Sequence, residues 1–406
     1  MKKSIIIISH LNVWSMGRSK GAQSLWLTIK GYSDAGYNTY FITSNKKMSN
    51  NEVQYPNLKI IRFNATFIEC FLKYKKIGFI FKIIFWIYFQ SKAYIIGFKT
   101  AKKYENIVFY GYEVYGIPVA KILSFVFKMP MISRFQGTIL MPKTKTKFWR
   151  TRYWQHVLAM KIPADLILMT NDGTQGDRIL QLLNKSVRNV EFLMNGVEVN
   201  SKIDNIDIDK AKTDLNIHCE HKILLTISRL VNWKRLDRII TAMPSILKEN
   251  KNITLLIVGD GQEKENLIKQ VQIAQINNNV KFVGSISHKE LYKFYGIADI
   301  FISLYDLSNV GNPLLEAMTY GKCIITLNNG DTNKLIRNNY NGILLNIDEI
   351  VNIPKIILDL LEDNSKILNL GKHSKLTAQH KFWSWDQRIE YEISKVDKIL
   401  ELYATN

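Results

Sequence analysis

Short apolar runs recur along the first half of the chain, and stretches with helical spacing separate them. Residues 5–8, 39–43, 58–63, 106–110 and 131–135 are such runs, and 166–169 and 190–193 repeat the pattern. Near-continuous apolar runs of this length suit strands buried on both faces, as in parallel sheets. Between them, residues 24–35 read as an amphipathic helix that Gly36 ends, and 118–127 as another. The pattern breaks at Met194-Asn195-Gly196-Val197, a turn sequence, and residues 200–218 are polar. It then restarts. Strands are expected at 223–228, 253–258, 280–283, 300–304, 322–326 and 342–345, with helices at 235–248, 263–275 and 289–298. Residues 382–402, beginning FWSWDQR, read as a last amphipathic helix. Strand and helix alternating twice over predict an α/β chain with two parallel-sheet domains. The expected domains are 1–198 and 199–380, with a terminal helical segment at 381–406.

Charge separates the two halves. The 406 residues carry a net charge of +20, and residues 1–198 hold 29 Lys and Arg against 10 Asp and Glu. The remainder is nearly balanced, so an anionic partner is expected for the first domain only. Two segments concentrate the excess. Residues 67–104 interleave aromatic and aliphatic side chains with Lys73, Lys75, Lys76, Lys82, Lys92, Lys99, Lys102 and Lys103. Residues 141–156, MPKTKTKFWRTRYWQH, set five basic residues among Phe148, Trp149, Tyr153 and Trp154. That composition fits an interfacial surface on anionic lipid. A core helix with a solvated lysine face has the same composition. Residues 77–89 form the most apolar stretch, too short to span a bilayer and interrupted by Lys82. Residues 1–10 read as a first strand rather than a signal peptide, because the apolar run is short. Cys70, Cys219 and Cys323 lack disulfide or metal spacing and are expected as buried thiols in a reducing cytosol.

The chemistry concentrates in residues 302–326, ISLYDLSNVGNPLLEAMTYGKCIIT. This reads as a strand end, a loop, a helix and a second strand. Gly311 and Pro313, on either side of Asn312, shape the turn, and Pro313 suits a first helical turn because its missing N–H has no partner there. Leu314, Leu315 and Glu316 then fall where backbone amides and the helix dipole attract phosphate. Glu316 is out of place beside an anion, yet its carboxylate can accept two hydrogen bonds from a ribose diol. Phosphate amides beside a diol acceptor describe a nucleotide-diphosphate pocket.

This segment resembles the donor loop of retaining glycosyltransferases of the GT-B fold, the family-four or group 1 type. Their usual pattern is Glu, seven residues, then Glu. Here the second acid is Glu316, while Ser308 stands at the first. The resemblance covers nearly the whole chain. It implies two Rossmann-like doubly wound domains facing a cleft, with the last helix crossing back onto the first domain, anchored by Trp383 and Trp385. It also implies site residues. Ser228-Arg229-Leu230 with Lys234 resembles the element whose Arg229 and Lys234 clamp the diphosphate, the first as a planar fork and the second as a point charge. Gly259 lies in a VGDG-like turn, and Val283 to Ile286 resembles the element whose backbone reads the base. The first-domain loop with Gly17 and Gly21 would touch phosphate, and Gln136 would bond a sugar hydroxyl without titrating. Asp306 or Asn309 would take the sugar-hydroxyl contact that Ser308 lacks, or the donor sugar would differ from the usual one.

The reaction so implied moves a sugar from a UDP- or GDP-linked donor to a glycan or polyprenyl-linked acceptor with retention, in cell-surface polysaccharide synthesis. The expected setting is cytoplasmic, peripheral on the plasma membrane. No metal is expected, since Asp207-x-Asp209 lies in the polar boundary stretch. Nucleic acid is not expected, for lack of a binding module. The rival readings are a non-catalytic nucleotide-sugar-binding scaffold and a GT-B nucleotide-sugar epimerase.

Overall fold

The computed structural model describes residues 2–10, 23–44, 54–72, 78–183, 189–198 and 206–405. The chain divides into two compact units. The first comprises residues 1–171, 175–193 and 385–406, and the second 172–174 and 194–384. Met194–Glu198, assigned to the first domain from sequence, thus group with the second unit, as do Asp172–Thr174.

The first unit is built on seven parallel strands: β1 (Ser4–Ile8), β2 (Asn38–Thr43), β3 (Leu58–Arg62), β4 (Ile107–Tyr112), β5 (Met131–Phe135), β6 (Leu166–Thr170) and β7 (Val190–Leu193). Their order is β3-β2-β1-β4-β5-β6-β7. The second unit has six parallel strands: β8 (Lys222–Ile227), β9 (Ile253–Val258), β10 (Val280–Gly284), β11 (Ile300–Ser303), β12 (Cys323–Leu327) and β13 (Ile343–Leu345). Their order is β10-β9-β8-β11-β12-β13. Both are doubly wound, Rossmann-like sheets, and each reverses direction once, at β1/β4 and at β8/β11. A crevice opens at the carboxyl ends of the strands at such a reversal, which is where ligands bind in open α/β sheets.

Each sheet is buried on both faces, as the apolar runs predict. β1, β4, β5, β6, β9, β11 and β12 are buried at every position. One core cluster of the second unit holds Leu255, Ile257 and Ile302, and another holds Leu256, Phe301 and Ile324. Neighbouring strand residues therefore feed opposite faces.

The last helix, Trp385–Ala404, belongs to the first unit. Trp385 is buried, while Trp383 is partly exposed and belongs to the second unit. A charged knot that the sequence does not announce fixes this helix. The Glu392 carboxylate accepts from Arg134 at 2.9 Å, Arg388 at 3.2 Å, and the Tyr110 hydroxyl at 2.7 Å. Arg134, Arg388 and Glu392 are all essentially without solvent exposure.

Several expectations need correction. The helix expected at 118–127 is Glu113–Phe127, with Pro118 inside it. The Gly111–Gly116 region packs too closely for side chains; a Cβ on Gly116 would lie 1.9 Å from the Ile8 carbonyl. Tertiary packing therefore holds a first turn that proline would discourage. Residues 78–89 belong to a longer helix, Gly78–Ala101, whose 24 residues are long and apolar enough to cross a membrane by length and composition only. Cys70 and Cys219 are exposed, and Cys323 is buried. Asp207 caps the helix Ile208–Asp214 by accepting from the Lys210 amide.

Candidate functional site

In the second unit the chain leaves β8 and β11 side by side at the sheet reversal, and the two loops that follow form the site. After β8, Ser228 to Val231 lead into a 3₁₀ turn, Asn232–Lys234. After β11, Leu304 to Val310 lead into the helix Asn312–Thr319, with Gly311 at its N-cap.

Lys234 links the loops. Its Nζ donates to the Ser308 carbonyl at 2.9 Å and lies 4.2 Å from the centroid of the buried Tyr305 ring. Burial lowers its pKa to about 7; Asp172 opposes this and Arg229 adds to it. Arg229 is exposed, its guanidinium 5.8 Å from the Trp233 ring centroid. Two cations thus stand together at the carboxyl end of β8, one open to solvent and one held by the loop it faces. A dianion arriving here would meet both.

The β11 loop is more committed than its sequence suggests. Asp306 is engaged by Arg235 Nη1 at 3.1 Å and by Arg238 Nη2 at 2.6 Å. Asn309 is 1% exposed and donates to the Tyr305 carbonyl at 2.8 Å and to Asn329. Both side chains expected to replace an acid at position 308 are therefore spent on holding the loop. Ser308 has left-handed backbone, φ 59°, and its side chain bonds to Asp172. Asp172 is the group that the sequence alone does not single out. Its Oδ1 accepts from the Thr174 amide at 3.1 Å and the Thr174 hydroxyl at 2.5 Å. Burial raises its pKa, against the hydrogen bonds from Thr174 and Ser308 and the charge of Lys234.

Glu316 sits in the first turns of the helix Asn312–Thr319 and is 5% exposed. His288 Nε2 lies 2.8 Å from Oε1, and the Tyr295 hydroxyl donates to Oε2 at 2.9 Å. Burial alone would lower the His288 pKa, but the hydrogen bond and charge of Glu316 raise it overall. The carboxylate is thus pre-oriented, with one lone pair left on each oxygen for a ligand. Leu314 and Leu315 point into the core, and their amides donate to the Gly311 carbonyl at 3.0 and 3.3 Å. Those two amides are therefore not the open phosphate donors expected from sequence. Pro313 occupies the first turn, its carbonyl accepting from Tyr295 at 3.2 Å, and Asn312 Oδ1 accepts from Asn195 at 2.9 Å.

Gly259 packs the turn after β9 against the β8 loop. At φ +139°, an added Cβ would fall 1.8 Å from the Ser228 carbonyl. Its role is close backbone approach. Val283 and Ile286 are partly buried and pack against the cluster that holds Leu314 and Leu315.

In the first unit, Gln136 follows β5 in an internal network. Its backbone amide donates to Glu113 Oε1 at 2.6 Å. In the amide orientation that satisfies its neighbours, its oxygen accepts from the Tyr112 hydroxyl at 2.6 Å and from Arg134, and its nitrogen donates to Ser24 at 3.0 Å. This side chain is tied down rather than free at the surface. Gly17 and Gly21 lie outside the described residues. Among the described residues, no group of three or more His, Cys, Asp or Glu is placed to hold a metal ion.

The family profile described as glycosyl transferases group 1 matches residues 207–377, within the second unit. An uncharacterised glycosyltransferase of Methanocaldococcus jannaschii is 25% identical over 88% of this chain and 89% of that protein. A GDP-mannose-dependent alpha-(1-6)-phosphatidylinositol monomannoside mannosyltransferase of Mycobacterium tuberculosis is 28% identical, over 41% of this chain and 45% of its own length. Among solved structures, the Anabaena protein HepE in complex with UDP and glucose superposes with a TM-score of 0.71 at 17% identity, covering 97% of this chain and 99% of that one. The last likeness speaks for the fold, and the first two for the family. Residues 207–377 thus match the group 1 glycosyltransferases, and the chain as a whole has the fold of GT-B glycosyltransferases.

Proposed function

We propose that this enzyme transfers a sugar, with retention, from a nucleotide-diphosphate donor to a glycan or lipid-linked acceptor in cell-surface polysaccharide synthesis. The observation that carries the donor half is the pairing of Arg229 and Lys234 after β8, with Lys234 tied to the β11 loop at the Ser308 carbonyl. The two cations oppose the charge that develops on a departing diphosphate, and stabilisation of that kind usually lowers an enzymatic barrier more than any other effect. Glu316, fixed by His288 and Tyr295, offers its remaining lone pairs to the ribose hydroxyls. Attack and departure on one face of the sugar need no second carboxylate for a double displacement. Complexes of HepE with UDP and glucose, and the GDP-mannose dependence of the mycobacterial relative, support a nucleotide-sugar donor.

The acceptor half rests on the first unit. The helix Gly78–Ala101 packs inward through Phe85, Phe89, Ala93 and Gly97, yet only 22% of its most apolar window is buried. Phe79, Ile80, Ile84, Ile87 and Ile95 face solvent beside the exposed Lys82, Lys92 and Lys99. The helix Glu113–Phe127, which contacts it through Leu123, adds Ile122, Phe125 and Val126, with Phe125 81% exposed. Lys73, Lys75 and Lys76 lie outside the described residues. A helix anchored to its own sheet on one side, with apolar and basic side chains on the other, suits lying on a bilayer rather than crossing it. Each basic residue near anionic lipid contributes about 1 kcal/mol, enough in sum for reversible binding. The setting is then the cytoplasmic face of the plasma membrane, where lipid-linked acceptors are reached. Co-sedimentation with phosphatidylglycerol vesicles at low salt tests this. Binding that salt weakens and Phe79→Ser/Phe125→Ser reduces is expected; no binding at low salt overturns the membrane half.

A further inference from the structure

We propose that Asp172 receives a hydroxyl of the donor sugar and so helps set which sugar this enzyme accepts; this rests on the donor-site reading above. Ser308 joins two groups of opposite charge. Its carbonyl holds Lys234 at 2.9 Å, and its side chain bonds Asp172. A carboxylate therefore stands beside the cation assigned to the diphosphate. Toward phosphate it is repulsive. Toward a polyhydroxylated sugar attached to that phosphate it is a strong acceptor, since hydrogen bonds to charged groups are about twice as strong as neutral ones.

The carboxylate is also built in rather than incidental. The Asp172 carbonyl accepts from the Val310 amide at 3.0 Å. A Cβ on Gly330, at φ +59°, would come within 2.1 Å of the Gly173 carbonyl, so the segment is seated against bare backbone. Thr174 saturates Oδ1 through two hydrogen bonds, at 2.5 and 3.1 Å. A carboxylate has about four lone-pair positions. Two serve Thr174, Ser308 takes a third, and one is left for a ligand on a partly exposed side chain. The other polar side chains of this loop are less suited. The Asp306 charge is paired by two arginines, and Asn309 is buried.

Calorimetric titration of wild type, Asp172→Asn and Ser308→Ala at pH 6 decides the matter. The probes are UDP, GDP, UDP-glucose, UDP-galactose, UDP-N-acetylglucosamine and GDP-mannose. Asp172→Asn is isosteric and removes one negative charge, so affinity for the free nucleoside diphosphate should hold or rise. Affinity for the matching sugar nucleotide should fall about tenfold or more relative to that diphosphate. If Asp172→Asn does not fold, as judged by its melting transition, Ser308→Ala must alter the same ratio, since it releases the carboxylate from its clamp. An unchanged ratio for every sugar in the folded variants overturns the assignment, because a purely structural or electrostatic Asp172 would shift both ligands together. A wild type that binds neither UDP nor GDP instead overturns the donor-site reading, and this proposal with it.

Discussion

Lys234 gives the sharpest test of how the donor site works. Its ammonium has a pKa of about 7 in the free protein because burial disfavours the charge more than Asp172 restores it. A bound diphosphate supplies negative charge and raises that pKa. The bound state then holds more protons than the free state, so affinity must fall as pH rises through about 7. The size follows from the protonated fraction. Lys234 is about nine-tenths charged at pH 6 and about one-tenth charged at pH 8, a free-energy difference of about 1.4 kcal/mol. Binding should weaken about tenfold over that interval, with uptake of up to about one proton; partial exposure makes this the upper end. The donor itself must not titrate, so the probe is a nucleotide sugar, whose diphosphate lacks the phosphomonoester ionisation near pH 6. Calorimetry in two buffers of different ionisation enthalpy reads affinity and proton uptake together. Lys234→Arg, always charged, should give a flat profile, and Lys234→Ala should bind about 10–100-fold more weakly at pH 6. A wild-type affinity that is constant from pH 6 to 8.5 with no proton uptake would refute the reasoning, since Lys234 would then be either always charged or not in contact with the donor.

Two further substitutions probe stability. Glu392→Gln leaves the buried guanidiniums of Arg134 and Arg388 without their counter-charge and should cost about 3–5 kcal/mol in urea unfolding; a loss below about 1 kcal/mol would mean the knot does not hold the last helix. Gly259→Ala places a methyl against the Ser228 carbonyl at a backbone angle that L residues avoid; it should cost at least about 3 kcal/mol and weaken nucleotide binding, and a neutral change would contradict the packing role.

Much of the fold can be read from the chain because parallel strands leave a local mark. The runs at 5–8, 223–228 and 253–258 are apolar at nearly every position because both faces are covered, and each is a strand of the expected sheet. The helix after Gly311 is equally plain, since proline and the apolar spacing that follows it act within one turn. What stays hidden depends on distant partners. Nothing near Arg134 announces Glu392, and in sequence the terminal tryptophans look like the anchor. Nothing in the sequence singles out Asp172, which becomes chemically interesting only once Ser308 and Lys234 are seen beside it. His288 and Tyr295 likewise gain meaning from Glu316. Glu316 itself stands out in the sequence, but its burial does not, because one carboxylate among apolar residues looks the same whether it meets solvent or a tyrosine.

The most direct test of the central claim is thermal stabilisation by UDP, GDP, ADP and CMP, on wild type and on Glu316→Gln. UDP or GDP should raise the melting temperature of the wild type, and Glu316→Gln, folded but with a poorer diol acceptor beside His288 and Tyr295, should lose most of that shift. A wild type that none of the four nucleotides stabilises would contradict the account, for the cations at the β8/β11 reversal would then have no nucleotide to hold.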